Sequence, residues 1–514
     1  MSDFTKRFRQ QAQASANAIA FANSNGESIT YGQLDAASER IGCRFNELDP
    51  SGAPIILYGH KSPFFVACIL ACMKSGHAYV PIDTLFPVGR IADIVEQLGG
   101  PVAVNTTEND LGDALSGSSH VIGLQEVRAI ADSDSASVLD ESASVTGADP
   151  IYIMFTSGST GKPKGVVMRT DAIDAFTEHF IDLFDAQAGD IYFNRVPFSF
   201  DMSIFDLTSG LATGGSLFAL EAEAESSFAS IFEALGSCHA CKWTSTPSFL
   251  EACLADPSFS PDLMPELVTV VVAGEVLRNQ TALRFMERFP NAAIWNAYGP
   301  TEAESVCEMV ITRQIAEQCN PLPVGVMSPG MHAIIRDPET LAELPANVEG
   351  EIYLAGVTVA EGYYNNAELT AKSFSEVQIE GERLRCYKTG DRGFINEHGW
   401  LFCLGRYDFQ VKLSGYRVEI GEIEEVLCAL DEVRDAYVVP VTRNGAVSHL
   451  CAFVQLEGDD PDTSYAQTKN LKNTIKDVLP DYMVPRAFKY VEAFPVNVNG
   501  KIDRKQLGEM AGSR

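Results

Sequence analysis

The chain has 514 residues, 46% of them hydrophobic and 21% charged, and a formal net charge of −31. That length exceeds what one hydrophobic core can organise, so roughly two to four domains are expected. The acidic balance argues against nonspecific binding to nucleic acid or to anionic membranes, and an acidic partner would need a local basic patch.

The opening stretch, MSDFTKRFRQQAQAS, lacks the apolar core of a secretory signal. Residues 54–58 (Pro-Ile-Ile-Leu-Tyr) read as a buried strand and residues 64–75 as a helix. Its apolar run ends at Lys74, which suits a buried helix rather than a membrane span. Residues 102–104 give another short strand. Residues 116–147, rich in Ser, Asp and Ala, read as a surface excursion. An apolar run at 151–155 predicts a strand, and a second at 165–168 predicts its partner. Cys238 and Cys241 form a lone C-x-x-C with no second pair at zinc spacing, so both are read as semi-buried thiols. Reduced cysteines and no export signal imply a cytoplasmic location. A strand at 267–272 and a helix at 280–288 continue the alternation, which favours α/β architecture with parallel strands. A boundary is expected near Gly405-Arg406-Tyr407-Asp408, dividing residues 1–405 from 406–514. The second part reads as compact α+β: helices at 420–430 and 465–478, strands at 436–441 and 450–456, then a polar loop, Asn497-Val498-Asn499-Gly500-Lys501-Ile502-Asp503-Arg504.

The two strands at 151–155 and 165–168 flank Thr156-Ser157-Gly158-Ser159-Thr160-Gly161-Lys162-Pro163-Lys164-Gly165. Glycines let successive backbone N–H groups turn inward on an anion, and hydroxyls and lysines add donors and charge suited to phosphate oxygens. The spacing is not that of a Walker A loop. The reading is strand, phosphate-cradling loop, strand.

Four further motifs follow in order. They are Asn296-Ala297-Tyr298-Gly299-Pro300-Thr301-Glu302; Tyr387-Lys388-Thr389-Gly390-Asp391; Gly405-Arg406-Tyr407-Asp408-Phe409-Gln410-Val411-Lys412 with Gly415-Tyr416-Arg417; and Gly500-Lys501. Together with the loop they resemble the acyl-adenylate-forming superfamily over nearly the whole chain. Within it the chain is most similar to stand-alone amino-acid adenylation enzymes of the D-alanine–carrier protein ligase type. The resemblance implies a large N-terminal domain of mixed sheets and helices and a small, mobile α+β C-terminal domain. It implies ATP and Mg2+ as cofactors. A carboxylate attacks the α-phosphorus of ATP, so two anions must be neutralised and held in line. By the resemblance, residues 156–164 close over the β- and γ-phosphates, Thr301 binds the α-phosphate and Glu302 holds Mg2+. Tyr298 faces the adenine, with Asn296, Ala297, Gly299, Gly274 and Glu275 around the nucleotide. Asp391 takes the ribose hydroxyls and Arg406 contacts ribose or phosphate. Lys501 bridges the substrate carboxylate and the α-phosphate. A thiol then attacks the adenylate carbonyl; Asp408 matches the hinge for the domain swing this requires, and Lys412 and Gly415 line the thiol path.

The same resemblance sets out a substrate site. Asp201, in Pro197-Phe198-Ser199-Phe200-Asp201-Met202-Ser203, matches the carboxylate that pairs with an amino acid's α-ammonium, and a buried carboxylate needs such a cation. Met202, Phe205, Thr244, Val271, Ala273, Ala297, Ser305 and Val306 match the side-chain pocket, with no charged group expected beyond Asp201. The pocket suits a small neutral side chain. D-alanine is the first expectation. Ala273 stands where those ligases usually carry Cys, which leaves L-alanine, 2-aminobutyrate, serine and glycine open. The acceptor is expected to be a separate phosphopantetheinylated carrier protein, since no carrier segment follows residue 514. A role in teichoic-acid D-alanylation and a role in peptide natural-product synthesis both fit. An acyl-CoA or aryl-CoA synthetase is disfavoured by Asp201, and a catalytically inactive nucleotide sensor by the intact Lys501, Glu302 and loop. Neither nucleic-acid binding nor membrane insertion is expected.

Overall fold

The computed structural model describes residues 1–134, 138–158, 162–407, 410–413, 415–443, 446–458, 465–495 and 502–512. Its N-terminal part holds three sheets. The largest has nine strands; Ala293–Tyr298, Thr269–Val272, Lys242–Ser245, Ile191–Asn194, Ser216–Ala219 and Ile19–Asn23 run parallel through its middle, and antiparallel strands close both edges. A seven-stranded sheet carries Pro150–Thr156 beside the parallel strands Tyr79–Asp83, Ile55–Gly59, Val102–Asn105 and His120–Ile122. The third sheet is a five-stranded antiparallel unit that includes Glu382–Ile395 and Leu401–Arg406.

Strand composition accounts for this arrangement. The middle strands are continuous β-branched and aromatic runs, such as Thr-Val-Val-Val at Thr269–Val272, and all four of those residues are buried. Such strands are covered by helices on both faces. One of these helices is Pro63–Ser75. Ser62 caps it by accepting the Phe65 N–H, Pro63 occupies its first turn, and Gly76 (φ 85°) ends it in a left-handed cap. Every side chain from Phe65 to Ser75 is buried. At about 1.5–3 kcal/mol for each large apolar side chain, that packing far outweighs weak helix propensity.

Past Arg406 the chain forms a short antiparallel pair, Gln410–Leu413 with Tyr416–Glu419. A three-stranded sheet follows, flanked by the helices Ile420–Cys428, Tyr465–Lys476 and Arg504–Gly512. The protein is thus a large mixed α/β domain followed by a smaller α+β one.

Two expectations need correction. Residues 116–147 are not merely a surface excursion. His120–Ile122 is an edge strand of the seven-stranded sheet, and the helix Leu124–Ala131 buries Leu124, Val127 and Ala131. The apolar residues are few and scattered among Ser and Asp, so the period is hard to see. The strands are also not uniformly parallel. Pro150–Thr156 and Lys164–Arg169 pair antiparallel, because one loop joins them directly. Cys238 is buried and Cys241 partly buried, both as free thiols. No helix among the described residues is long and apolar enough to cross a membrane.

Candidate active site

The C-terminal ends of the parallel strands and the loops beyond them surround one cavity. Its wall includes Thr156, Ser157, Asp201, Thr301, Asp391 and Arg406 from the large domain, and Lys412, Gly415, Tyr416 and Arg417 from the small one. Loops at the carboxyl edge of an α/β sheet are the usual place for a ligand.

In the glycine-rich loop, Thr156 pairs with Lys164 across the strand ends. A Cβ on Gly158 would lie 2.0 Å from the Lys162 carbonyl oxygen, so only glycine lets the loop close on itself. Ser157 donates to the Arg417 carbonyl (3.0 Å), and the Gly158 N–H donates to Glu422 (3.2 Å). Lys162 is exposed. Ser159, Thr160 and Gly161 lie outside the described residues.

The strand Ala293–Tyr298 runs into the Gly299-Pro300-Thr301-Glu302 turn. A Cβ on Gly299 would sit 1.6 Å from the Glu304 carbonyl oxygen, so this turn also demands glycine. Glu302 is fully buried and accepts from the Tyr363 hydroxyl (2.8 Å) and from Arg417 (2.6 Å), with the Lys164 ammonium 3.4 Å away. Burial alone would raise its pKa. The Arg417 and Lys164 charges outweigh burial and hold the carboxyl well below the usual range. Asp391 accepts from the Tyr298 hydroxyl (2.5 Å) and from Arg406 (2.9 Å), so the three predicted nucleotide residues meet. Asn296 turns away from the cavity, and its amide donates to the Pro323 carbonyl (2.9 Å). Glu275 accepts from the Ser248 and Gly415 N–H groups (3.0 and 2.6 Å) and so ties the two domains together beside Gly274.

Of the residues expected to contact an amino acid, Asp201, Met202, Phe205, Ala273 and Ser305 line the cavity. Asp201 accepts from the Met202 N–H (2.8 Å). Burial raises its carboxyl pKa, and the Thr301 hydroxyl, the Met202 N–H and the Lys412 charge pull it partly back. Thr244, Val271, Ala297 and Val306 are buried behind this wall and do not line it. Thr244 donates to Asp206 (2.6 Å), while Val271, Ala297 and Val306 belong to the main core. The expectation of no charged group beyond Asp201 is corrected by Glu304, which lines the same cavity. Glu304 carries a left-handed backbone (φ 59°), and its carboxyl accepts from the Tyr152 hydroxyl.

The small domain closes the far side. Tyr416 stacks on Tyr482 (centroids 4.0 Å, planes 7° apart) and meets Phe200 edge-on at 5.2 Å. Gly415 (φ 87°) fits against Thr246, where a Cβ would lie 2.4 Å from a methyl carbon. Arg90 and Glu422 form a buried ion pair across the domains at 2.6 Å. Asp408 and Lys501 lie outside the described residues. Sequence reasoning gave Arg417, Glu422, Tyr363 and Glu304 no role in the site. The only hints were the place of Arg417 in a motif and of Glu304 two positions past Glu302.

Among the described residues no cluster of three or more His, Cys, Asp or Glu could hold a metal. The donor chemistry nevertheless fits Mg2+ as an ion carried in with nucleotide. Glu302 is one buried carboxylate oxygen donor, and such ions take their other ligands from phosphate and water. In the arrangement seen, Arg417 and Lys164 neutralise Glu302 instead.

A glycine-rich loop, a buried acid and a small domain docked over one cavity give the chain a two-domain α/β build with a single shared site. The AMP-binding enzyme family matches residues 8–364, and the AMP-binding enzyme C-terminal domain matches residues 422–501. The chain belongs to this family of AMP-forming ligases. It is 38% identical over 505 residues to the D-alanine--D-alanyl carrier protein ligase of Bacillus licheniformis, covering 98% of each chain. It is 37% identical over 482 residues to the ligase of the same name from Bacillus cereus, covering 93% of this chain and 94% of that one. Among solved structures, a holo NRPS protein with adenylation and PCP domains, bound to a vinylsulfonamide inhibitor, superposes with a TM-score of 0.84. It is 26% identical, and the match covers 98% of this chain and 83% of that one. The o-succinylbenzoate CoA synthetase of Bacillus subtilis shares the fold, with a TM-score of 0.82 at 18% identity over 99% and 98% of the two chains.

Proposed function

We propose that the protein activates a small amino acid with ATP as an aminoacyl-AMP and passes it to the phosphopantetheine thiol of a separate carrier protein. The observation that carries this reading is Asp201. It is a shielded carboxyl between Thr301 and Met202, with Phe205 and Ala273 leaving room for a short side chain. An α-ammonium supplies the cation that such a carboxyl needs. Thr156–Lys164 and Thr301 then bind the phosphates, Asp391, Arg406 and Tyr298 orient the nucleoside, and Glu302 holds Mg2+, which would neutralise phosphate charge. Lys501 offsets the charge that builds between carboxylate and α-phosphate. The chain divides near residue 405, and the second domain turns about Asp408 so that Lys412 and Gly415 flank the incoming thiol.

D-alanine is the amino acid that the relatives' names point to, and we place the reaction in a cytoplasmic step of teichoic-acid D-alanylation. A second reading, another small amino acid for a peptide natural product, is favoured by Ala273 and by the extra carboxyl of Glu304. Amino-acid-dependent exchange of labelled pyrophosphate into ATP, run over D- and L-amino acids, tests the proposal. A small amino acid should stimulate exchange well above background. No stimulation by any of them would refute it.

A further inference from the structure

Glu304 sits in the substrate wall in a way the reaction itself does not require. It is 2% exposed, lines the cavity that holds Asp201, and occupies left-handed backbone at a cost on the order of 1–3 kcal/mol. One carboxyl oxygen accepts the Tyr152 hydroxyl, and among the described residues it has no ion-pair partner. The neighbouring acid is different, since Glu302 has Arg417 and Lys164. Beside Glu304, the Ser305 hydroxyl oxygen is buried without a hydrogen-bond partner and lines the same cavity. Two buried polar groups with spare hydrogen-bonding capacity are costly unless something fills that capacity. The surrounding wall of Met202, Phe205 and Ala273 offers nothing that can.

We propose that Glu304 and Ser305 form a side-chain subsite that selects, among amino acids of this size, those bearing a hydroxyl or an amine on the β-carbon. The inference rests on the adenylation reading above and narrows its substrate. Such a substrate donates to Glu304 and engages the Ser305 hydroxyl. An apolar side chain of equal size leaves the Ser305 hydroxyl unpaired and Glu304 with the Tyr152 hydroxyl as its hydrogen-bond donor, and a site built to hydrogen-bond discriminates strongly against an analogue that lacks the group.

The test is pyrophosphate exchange by the full-length protein with serine, 2,3-diaminopropionate, 2-aminobutyrate and alanine, each as both enantiomers. The first three have equal numbers of heavy atoms, so their ratios isolate the donor. Serine or diaminopropionate should exceed 2-aminobutyrate in kcat/KM by at least about tenfold, and whichever leads identifies the hydroxyl or the amine. In Glu304→Met that ratio should collapse towards one. In Glu304→Gln, which keeps an acceptor oxygen, diaminopropionate should lose more than serine. The wild-type panel decides the matter even if a variant does not fold. Exchange led by 2-aminobutyrate or alanine would overturn this inference and leave adenylation standing. Exchange with no amino acid at all would overturn both.

Discussion

A buried carboxyl stays ionised at low cost only when cations meet it, and Glu302 meets two. Arg417 stands 115 positions away in sequence, and Lys164 comes from the glycine-rich loop. Removing one partner of such a pair leaves an uncompensated charge, a change worth about 3–5 kcal/mol. The motif residues themselves were legible because loops of Gly, Thr, Lys and Glu have no core to serve. Which distant charges meet was not legible, since pairing depends on the fold. Glu304 was missed for the same reason: its hydrogen bond to Tyr152 and its place in the cavity wall come from the fold, not from spacing. Lys501 is assigned the charge that develops in the first half-reaction. Lys501→Ala should cut pyrophosphate exchange by about 10²–10³ while ATP binding, read by calorimetry, stays largely intact. Near-normal exchange would refute that assignment. Ala273 lines the cavity beside Gly274. If its small size relaxes chiral choice, Ala273→Cys should sharpen the D-to-L-alanine ratio in kcat/KM by about tenfold or more, and an unchanged ratio would move the pocket wall elsewhere.

The key elements are a loop that only glycine can close and a strand pair that carries the small domain's contacts. Gln410–Leu413 and Tyr416–Glu419 present Lys412, Gly415 and Arg417 to the cavity, while Gly415 and Glu422 donate and accept across the domain border. These contacts describe one seating of the small domain, and a second seating needs a pivot in the segment that joins it to Arg406. Proline fixes φ near −65° and removes an N–H, so Asp408→Pro restricts such a pivot. Measured separately, exchange and thiol loading should respond unequally to Asp408→Pro, with one falling at least about tenfold more than the other. Equal losses would count against a hinge there. The β-rich strands and the long helices were readable from their apolar runs. The edge strand His120–Ile122 was not, because its partners, and not its own composition, make it a strand.

At the scale of the whole molecule, the large domain carries a buried polar network behind the substrate wall. Burial pushes Asp206 up to about 7 even though Thr244 and Asn194 donate to it and the Lys61 charge favours its ionised form. Burial also pushes Lys61 down to about 8. For a carboxyl whose folded pKa is raised, the native state holds the proton that the unfolded chain releases. The stabilisation is therefore complete below the ordinary value of 3.8 and is lost as pH rises through about 7. Asp206→Asn imitates the protonated acid. The wild-type unfolding free energy, read from denaturant titrations, should accordingly fall relative to that of Asp206→Asn between pH 5 and pH 8, by on the order of a few kcal/mol. A difference that does not change with pH would show that Asp206 is not buried as an acid.

If an amino acid's carboxylate oxygen attacks the α-phosphorus in the cavity shared by Asp201, Thr301 and Asp391, that oxygen leaves with AMP when the thiol takes the acyl group. The most direct measurement supplies an amino acid labelled with oxygen-18 in its carboxyl group, together with ATP and a thiol acceptor, and analyses the nucleotide product by mass spectrometry. AMP carrying one heavy oxygen, formed with unlabelled pyrophosphate and the thioester, is the predicted result. ADP with heavy oxygen in inorganic phosphate, or AMP without label, would contradict the account.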